Sequence, residues 1–495
     1  MRKLLFYISL LWVSLCFPLT IRVEIARGWR SLNVSSSVPF SLIDTSNGEI
    51  VRSSLNNLKL SFLRKSQRCY CLKILCPDDE KASRLEKEAR MLGYKIQRSD
   101  NELIVSCEQE AGRKGFLERI ANEDVSIFPF DEQRLEARIE LEFEGERKIL
   151  PPTSHLKLLP IAGDGKTPIL SVSLDNNPKE RRYRGVLEIF SNKDFIPILV
   201  NELDLEDYLK GVLPAEIPES FPYECLKAQA IIARTYTVYS LGRHKNEGYD
   251  LCSTPHCQIY LGYDYEKDKI NKAIEETKGM IITYNDKPAL TPFHSSCGGL
   301  REDGNVWGSN LPYLKSKIDG DISLDLSSEE KIKSFLQLKE GFNCSGAPDF
   351  RWRREYRADE LQAIFERSLP VLLNNPSLKL GKIKDLRVAE RRAFGRVSSL
   401  IIETDEGEIR LEGDNIRWAF GDGRIASRGS LPSLLFYIEK KSEGESPIFK
   451  IIGGGSGHGI GFCQWGGAKL ARKGYGFSQI IFYYFPGTNL KKTIE

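Results

Sequence analysis

A chain of 495 residues with 71 Lys and Arg against 68 Asp and Glu carries a net charge of only +3. That near-neutrality, with no run of like charges forming a basic arm, argues against nucleic acid as a dominant partner. With 41% hydrophobic and 28% charged residues the composition is that of a globular protein, and the length predicts about three domains.

The chain opens MRKLLFYISLLWVSLCFPLTI, two basic residues ahead of about 18 mostly apolar ones, the layout of an export signal within residues 1–24. No small-x-small cleavage site follows, so an uncleaved signal anchor stands beside a cleaved signal peptide. Cys16 follows Leu15, where a lipid-attachment signal needs a small residue, which argues against lipidation. Export permits disulfides among the 11 cysteines, with Cys69, Cys71, Cys76 and Cys107 as the closely spaced candidates. Cys225, Cys297 and Cys463 read instead as isolated small apolar residues.

Residues 25–65, polar and rich in Ser and Asn, read as a linker with loose strands. From 66 to 130 a strand (RCYCLKILC), a helix ended by Gly93, a strand (NELIVSCEQ), a second helix (GRKGFLERIANE) and a short strand predict a small α/β module. Residues 131–184 alternate polar and apolar between turn signals and predict a β-rich region. A long helix is expected over about 222–241 with Pro222 in its first turn, and another in EKDKINKAIEETKG. The strand pair MIITYNDKPALTPFHSS follows, then a charged helical and β-rich insertion over about 322–440. A glycine-rich loop and two short helices close the chain. The expected fold class is α+β and multi-domain, with mainly antiparallel strands and no repeat.

Four stretches carry chemistry. In GVLPAEIPES, Glu216 sits between Pro214 and Pro218; each proline fixes its own φ and biases its predecessor away from helix. The expectation is an extended, stiff loop presenting one carboxylate. On the following helix Lys227 and Arg234 are two turns apart and share a face, able to point toward that loop or merely to be solvated. His294 precedes two glycines in FHSSCGG, and His458 lies in GSGHGIGFCQWG, where glycines let backbone approach a ligand closely. His244, Cys252, His256 and Cys257 form a sound tetrahedral zinc set in composition, though not in finger or ribbon spacing. A Cys252–Cys257 disulfide and an exposed His244 are the competing readings.

In family order, the segments YLKGVLPAEIPESFPYECLKAQAIIARTY, YDLCSTPHCQIYLG, TPFHSSCGG with VWGSNLPYLKS, and GHGIGFCQWGGAKLARKGYGFSQIIFYYFPGT resemble the SpoIID/LytB domain of stage II sporulation protein D and its relatives. The resemblance covers about residues 185–490 and departs at Cys297 and Cys463, which replace Ser-like residues. It implies a lytic transglycosylase that cuts peptidoglycan between N-acetylmuramic acid and N-acetylglucosamine and leaves 1,6-anhydro ends. It further implies Glu216 as the catalytic acid, Lys227 and Arg234 in the same site, and structural zinc on His244, Cys252, His256 and Cys257, with no organic cofactor. His294, Ser295, His458 and Gln464 are expected to add substrate contacts. The partners expected are glycan strands denuded of stem peptides and, in an alternative reading, a cell-wall amidase that this protein enhances without cutting. An exported metalloprotease is disfavoured, because no H-E-x-x-H occurs and the zinc set fills four positions.

Overall fold

The computed structural model of the protein describes residues 19–161, 167–308, 310–425, 427–443 and 446–492. Most of the leader expected within 1–24 therefore lies outside the described residues, as does Cys16. Among the described residues no helix is long and apolar enough to cross a membrane. The fold is α+β with mostly antiparallel sheets, as expected. The described residues divide into two compact units, each discontinuous in sequence: one within 26–180 and 187–199, the other within 19–25, 181–186 and 200–492.

In the first unit, residues 25–65 are not a linker. Ser31–Asp44 and Glu49–Leu75 are long strands paired antiparallel from Ser31 opposite Ser61 to Asp44 opposite Glu49. Polar outward positions hide the strand signal, but Leu32, Val34, Leu58, Leu60 and Phe62 point inward and are buried. Glu49–Leu75 also pairs along its second half with Ser126–Phe143, which ties the expected α/β module and β-rich region into one body. Within 66–130 a strand not expected from the sequence, Lys95–Ser99, pairs with Glu102–Cys107. Helices Asp79–Met91 and Glu110–Ile120 cover strands through Leu72, Ile74, Leu85, Val105 and Phe116. Cys76 is an unbridged buried thiol, and the side chain of Cys69 lies outside the described residues.

In the second unit, the Tyr223–Ser240 helix is buried along most of its length and is the axis of the fold. Leu205–Glu216, Asp268–Glu276, Gln464–Arg472 and Phe477–Tyr484 pack around it. The strand Thr20–Arg27 pairs in parallel with the short Leu251–Cys252, Val23 opposite Leu251 and Glu24 opposite Cys252. Phe293–His294 pairs in parallel with Phe462–Cys463. The insertion builds its own core, where helix Ala358–Leu372 lays Leu361, Phe365 and Leu369 against Val397, Leu400, Phe436 and Phe449.

The stretch GVLPAEIPES corrects the sequence expectation. Leu205–Glu216 is a helix with Pro214 inside its last turn. Asp204 caps it, its carboxylate accepting from the N–H groups of Glu206 at 2.8 Å and Asp207 at 3.4 Å. Leu205, Tyr208, Leu209, Val212 and Leu213 recur at helical spacing and are all buried, and that burial outweighs the local bias of Pro214. Only Pro218 acts as expected. Its predecessor Ile217 is extended, at φ −135° and ψ 136°, and ends the helix directly after Glu216.

Candidate active site and metal cluster

Glu216 is thus the last residue of a capped, buried helix. Its carboxyl has one hydrogen bond among the described residues, accepted by Oε1 from the Ile259 N–H at 2.9 Å. Burial pushes its pKa from 4.5 up to about 7, opposed only by that bond.

The two helix cations are engaged elsewhere. Arg234 is fully buried; its Nε and Nη2 donate to the two carboxylate oxygens of Glu206 at 2.8 and 2.7 Å. Its remaining bonds go to the carbonyls of Met280 and Ile274, each at 3.2 Å. Contrary to the sequence expectation, it offers substrate no surface. It fastens the Glu216 helix to the central helix. Lys227 lies between Glu224 at 3.1 Å and Glu276 at 3.0 Å. With both charges neutralised away from Glu216, neither helix cation pulls that carboxyl down.

The set His244, Cys252, His256 and Cys257 converges. One donor atom from each lies within 4.8 Å of all the others. Cys257 Sγ is 3.5 Å from His244 Nε2 and 3.6 Å from His256 Nδ1, and Cys252 Sγ is 3.6 Å from the same Nδ1. A tetrahedral zinc with ordinary Zn–S and Zn–N bonds places sulfur and nitrogen about 3.6 Å apart, so the residues fit the ion. The two thiols are unbridged. His244, far from idle, turns Nδ1 to the Glu247 carboxylate at 2.7 Å, the outer-shell partner that orients a ligating imidazole.

The residues after this cluster are fastened one by one, a feature the sequence reading missed. Gln258 Oε1 accepts from the Tyr208 hydroxyl at 3.4 Å and the Thr237 hydroxyl at 2.7 Å. Ile259 donates to Glu216, and the Tyr260 hydroxyl donates to Asn201 Oδ1 at 2.8 Å. The His/Cys group and the backbone that holds the Glu216 carboxyl therefore share one short segment. Its only sequence signal is adjacency, QIY directly after CSTPHC.

The remaining expected residues gather on the Phe293–His294 and Phe462–Cys463 pair. His294 is buried, with Nδ1 3.1 Å from the Ile460 carbonyl and Nε2 without a partner. His458 Nδ1 accepts from the Ile460 N–H at 3.0 Å, so Nε2 is the protonated nitrogen and donates to the Phe293 carbonyl at 2.9 Å. Burial lowers His458 to about 4 and His294 well below the usual histidine range, so both rings are neutral. Trp307 packs edge-on to His458 with ring centres 4.8 Å apart, another residue sequence reasoning missed. Gln464 Nε2 donates to Gln229 Oε1 at 3.2 Å, and the Ser295 carbonyl accepts from Trp465 N–H at 3.1 Å. The glycines here serve the protein's own packing. A Cβ on Gly457, at φ +102°, would stand 2.7 Å from that of His294. No hydrogen bond joins this group to Glu216 among the described residues.

Residues 197–284, which hold Glu216 and all four of His244, Cys252, His256 and Cys257, match the family model described as Stage II sporulation protein. The stage II sporulation protein D of Bacillus subtilis is 28% identical over 309 residues, 59% of this chain and 76% of that protein. The chain thus carries a segment similar to the SpoIID family. Residues 302–461 match a further model, described as a domain of unknown function, DUF8618. An uncharacterised protein of Brachyspira hyodysenteriae is 28% identical over 61% of this chain and 72% of its own length. The amidase enhancer of Bacillus subtilis is also 28% identical, over 57% of the chain but only 40% of its own length.

Proposed function

We propose that this chain is an exported lytic transglycosylase that cuts peptidoglycan glycan strands between N-acetylmuramic acid and N-acetylglucosamine and leaves 1,6-anhydro ends. The observation that carries the reading is the desolvated carboxyl of Glu216, with a pKa of about 7 and no cation beside it. Near neutral pH a large fraction is protonated and ready to act as an acid. Glu216 gives its proton to the glycosidic oxygen as the bond to the muramic C1 breaks. The resulting carboxylate then takes the proton of the same sugar's 6-hydroxyl as O6 attacks C1. Acid and base are one group, and no water is consumed, so the second carboxylate of a hydrolytic glycosidase is not required.

Zinc on His244, Cys252, His256 and Cys257 would be structural, since four protein ligands leave no open position. Its consequence for the reaction runs through the chain: the cluster fixes the segment whose Ile259 N–H holds the Glu216 carboxyl. Chelation of the metal, or Cys252→Ser, is expected to lower the rate of anhydro-end formation by about tenfold or more, with a smaller effect on KM. An unchanged rate in a protein shown to be metal-free would separate the cluster from catalysis.

The reaction is tested by mass spectrometry of products from denuded and from peptide-bearing glycan. Wild type should release anhydro-ended fragments from denuded strands, and Glu216→Gln, which keeps the shape and loses the proton, should release none. Anhydro products from the variant would falsify the mechanism. The similarity to an amidase enhancer supports a second reading, a non-cutting glycan-binding protein that stimulates a cell-wall amidase. That reading gains if wild type yields no fragments yet accelerates an amidase on the same glycan.

A further inference from the structure

Cys297, Asp319, Cys344 and Cys463 come from four separate segments and meet in the interior of the second unit. Each is essentially unexposed, and one donor atom of each lies within 4.8 Å of all the others. Sequence reading treats Cys297 and Cys463 as isolated apolar residues, because nothing in their spacing joins them to each other or to Cys344. Cys297 Sγ lies 3.6 Å from Cys344 Sγ and 3.3 Å from Asp319 Oδ2. The Cys463 sulfur accepts from the Cys297 N–H at 3.3 Å.

We propose that these three cysteines and Asp319 form a second, closed zinc site, separate from the His244–Cys257 cluster. A tetrahedral zinc with three thiolates and one carboxylate places its sulfurs about 3.8 Å apart and sulfur from oxygen about 3.6 Å. The separations given above lie within a few tenths of an ångström of both. Soft sulfur ligands in a four-donor cage select zinc over hard cations such as magnesium or calcium.

The carboxylate is prepared as a ligand. Asp319 Oδ1 accepts from Asn343 Nδ2 at 3.0 Å and from the Tyr483 and Tyr484 hydroxyls at 3.2 and 3.3 Å, which leaves Oδ2 turned to the sulfurs. The Tyr484 hydroxyl also reaches Oδ2, at 3.2 Å. Such outer-shell donors fix the orientation of a ligating carboxylate. Charge is matched as well. Zinc with three thiolates and a carboxylate carries two net negative charges once the three thiol protons pass to solvent. Guanidinium groups stand around it: Arg396 and Arg351 donate to the carbonyls of Cys297 and Gly298 at 3.0 and 2.9 Å, and Arg301 lies over the Tyr483 and Tyr484 rings. A disulfide would use two of the sulfurs and leave a third thiol and a buried carboxylate with no common purpose.

With no open position the ion is a clamp. It ties the turn after His294–Ser295 to the start of the Gln464–Arg472 helix and to the Asp319 and Cys344 loops. The proposal does not depend on the glycan chemistry.

Metal content of the full chain, purified under reducing conditions with zinc supplied, is measured by inductively coupled plasma mass spectrometry. Two zinc ions per chain are expected. Cys252→Ser/Cys257→Ser should keep one, and Cys344→Ser/Cys463→Ser should keep the other. X-ray absorption of the Cys252→Ser/Cys257→Ser protein then reads the buried site alone, with three sulfurs at about 2.3 Å and one oxygen at about 2.1 Å expected. Wild type holding a single zinc that vanishes with Cys252 and Cys257 overturns the site without recourse to a variant that fails to fold. So does a native mass short by two hydrogens with a Cys297–Cys344 or Cys297–Cys463 cross-link on peptide mapping.

Discussion

Glu216→Gln is expected to unfold at a higher temperature than wild type at pH 8 and at nearly the same temperature at pH 5. The carboxyl pKa is raised from 4.5 to about 7 by burial. A raised acid contributes stability that is fully present below its unfolded pKa and is lost as pH rises through its folded one. Between about pH 4.5 and 7 the folded protein therefore holds a proton the unfolded chain has released, and stability declines across that window. At pH 8 the cost of ionising the buried group is on the order of 3 kcal/mol, discounted by its partial contact with solvent, and glutamine avoids it. The same titration should shape catalysis. The acid-dependent limb of kcat/KM should be flat below about pH 6 and fall roughly tenfold per unit above about pH 7. Paired unfolding curves at the two pH values check the first outcome. Equal stabilisation by the variant at both would show that the carboxyl is not desolvated.

Arg234→Met should be the most damaging single change in the central helix, costing about 3–5 kcal/mol, because it strands the Glu206 carboxylate inside the fold. The double variant Arg234→Met/Glu206→Leu should recover most of that loss, since a buried ion pair replaced by apolar groups of similar volume is often neutral. A substrate-binding arginine predicts a double variant equally stable but with a strongly raised KM, whereas a fastening arginine leaves KM of the recovered double variant near wild type. Lys227→Met provides the comparison. Its ion pairs involve carboxylates that are more than a third exposed, so a loss below about 1 kcal/mol is expected. Thermal unfolding and steady-state kinetics on the three variants separate a fastening role from a binding one.

The sequence carries the helices of the second unit well, because Tyr223–Ser240, Asp268–Glu276 and Ala358–Leu372 have bounded helical patterns of ordinary length. It also carries the His244, Cys252, His256 and Cys257 group, whose members lie close together along the chain. It misleads where local and tertiary terms compete. Two prolines draw attention to a loop, whereas five buried apolar residues from Leu205 to Leu213 decide for a helix. The polar outer faces of Ser31–Asp44 and Glu49–Leu75 disguise strands whose inward faces are mostly apolar. The partners of Arg234 and the meeting of Cys297 with Cys344 and Cys463 are long-range facts. No spacing rule reaches across 166 residues from Cys297 to Cys463.

The parallel pairing of Thr20–Arg27 with Leu251–Cys252 has a consequence for assembly. The Arg22 N–H donates to Asp250 Oδ2 across 228 residues, and Asp250 and Ser253 donate back to the carbonyls of Arg22 and Glu24. The strand beside Cys252 has Pro197–Asp204 as its other sheet neighbour, so one of its edges stays open until the chain has reached residue 252. Such a late closure slows folding and exposes a strand edge meanwhile. A truncation cut at residue 185, where sequence similarity alone would place the domain border, removes that strand. It leaves the Cys252 backbone without its neighbour and should yield protein that loses zinc and aggregates.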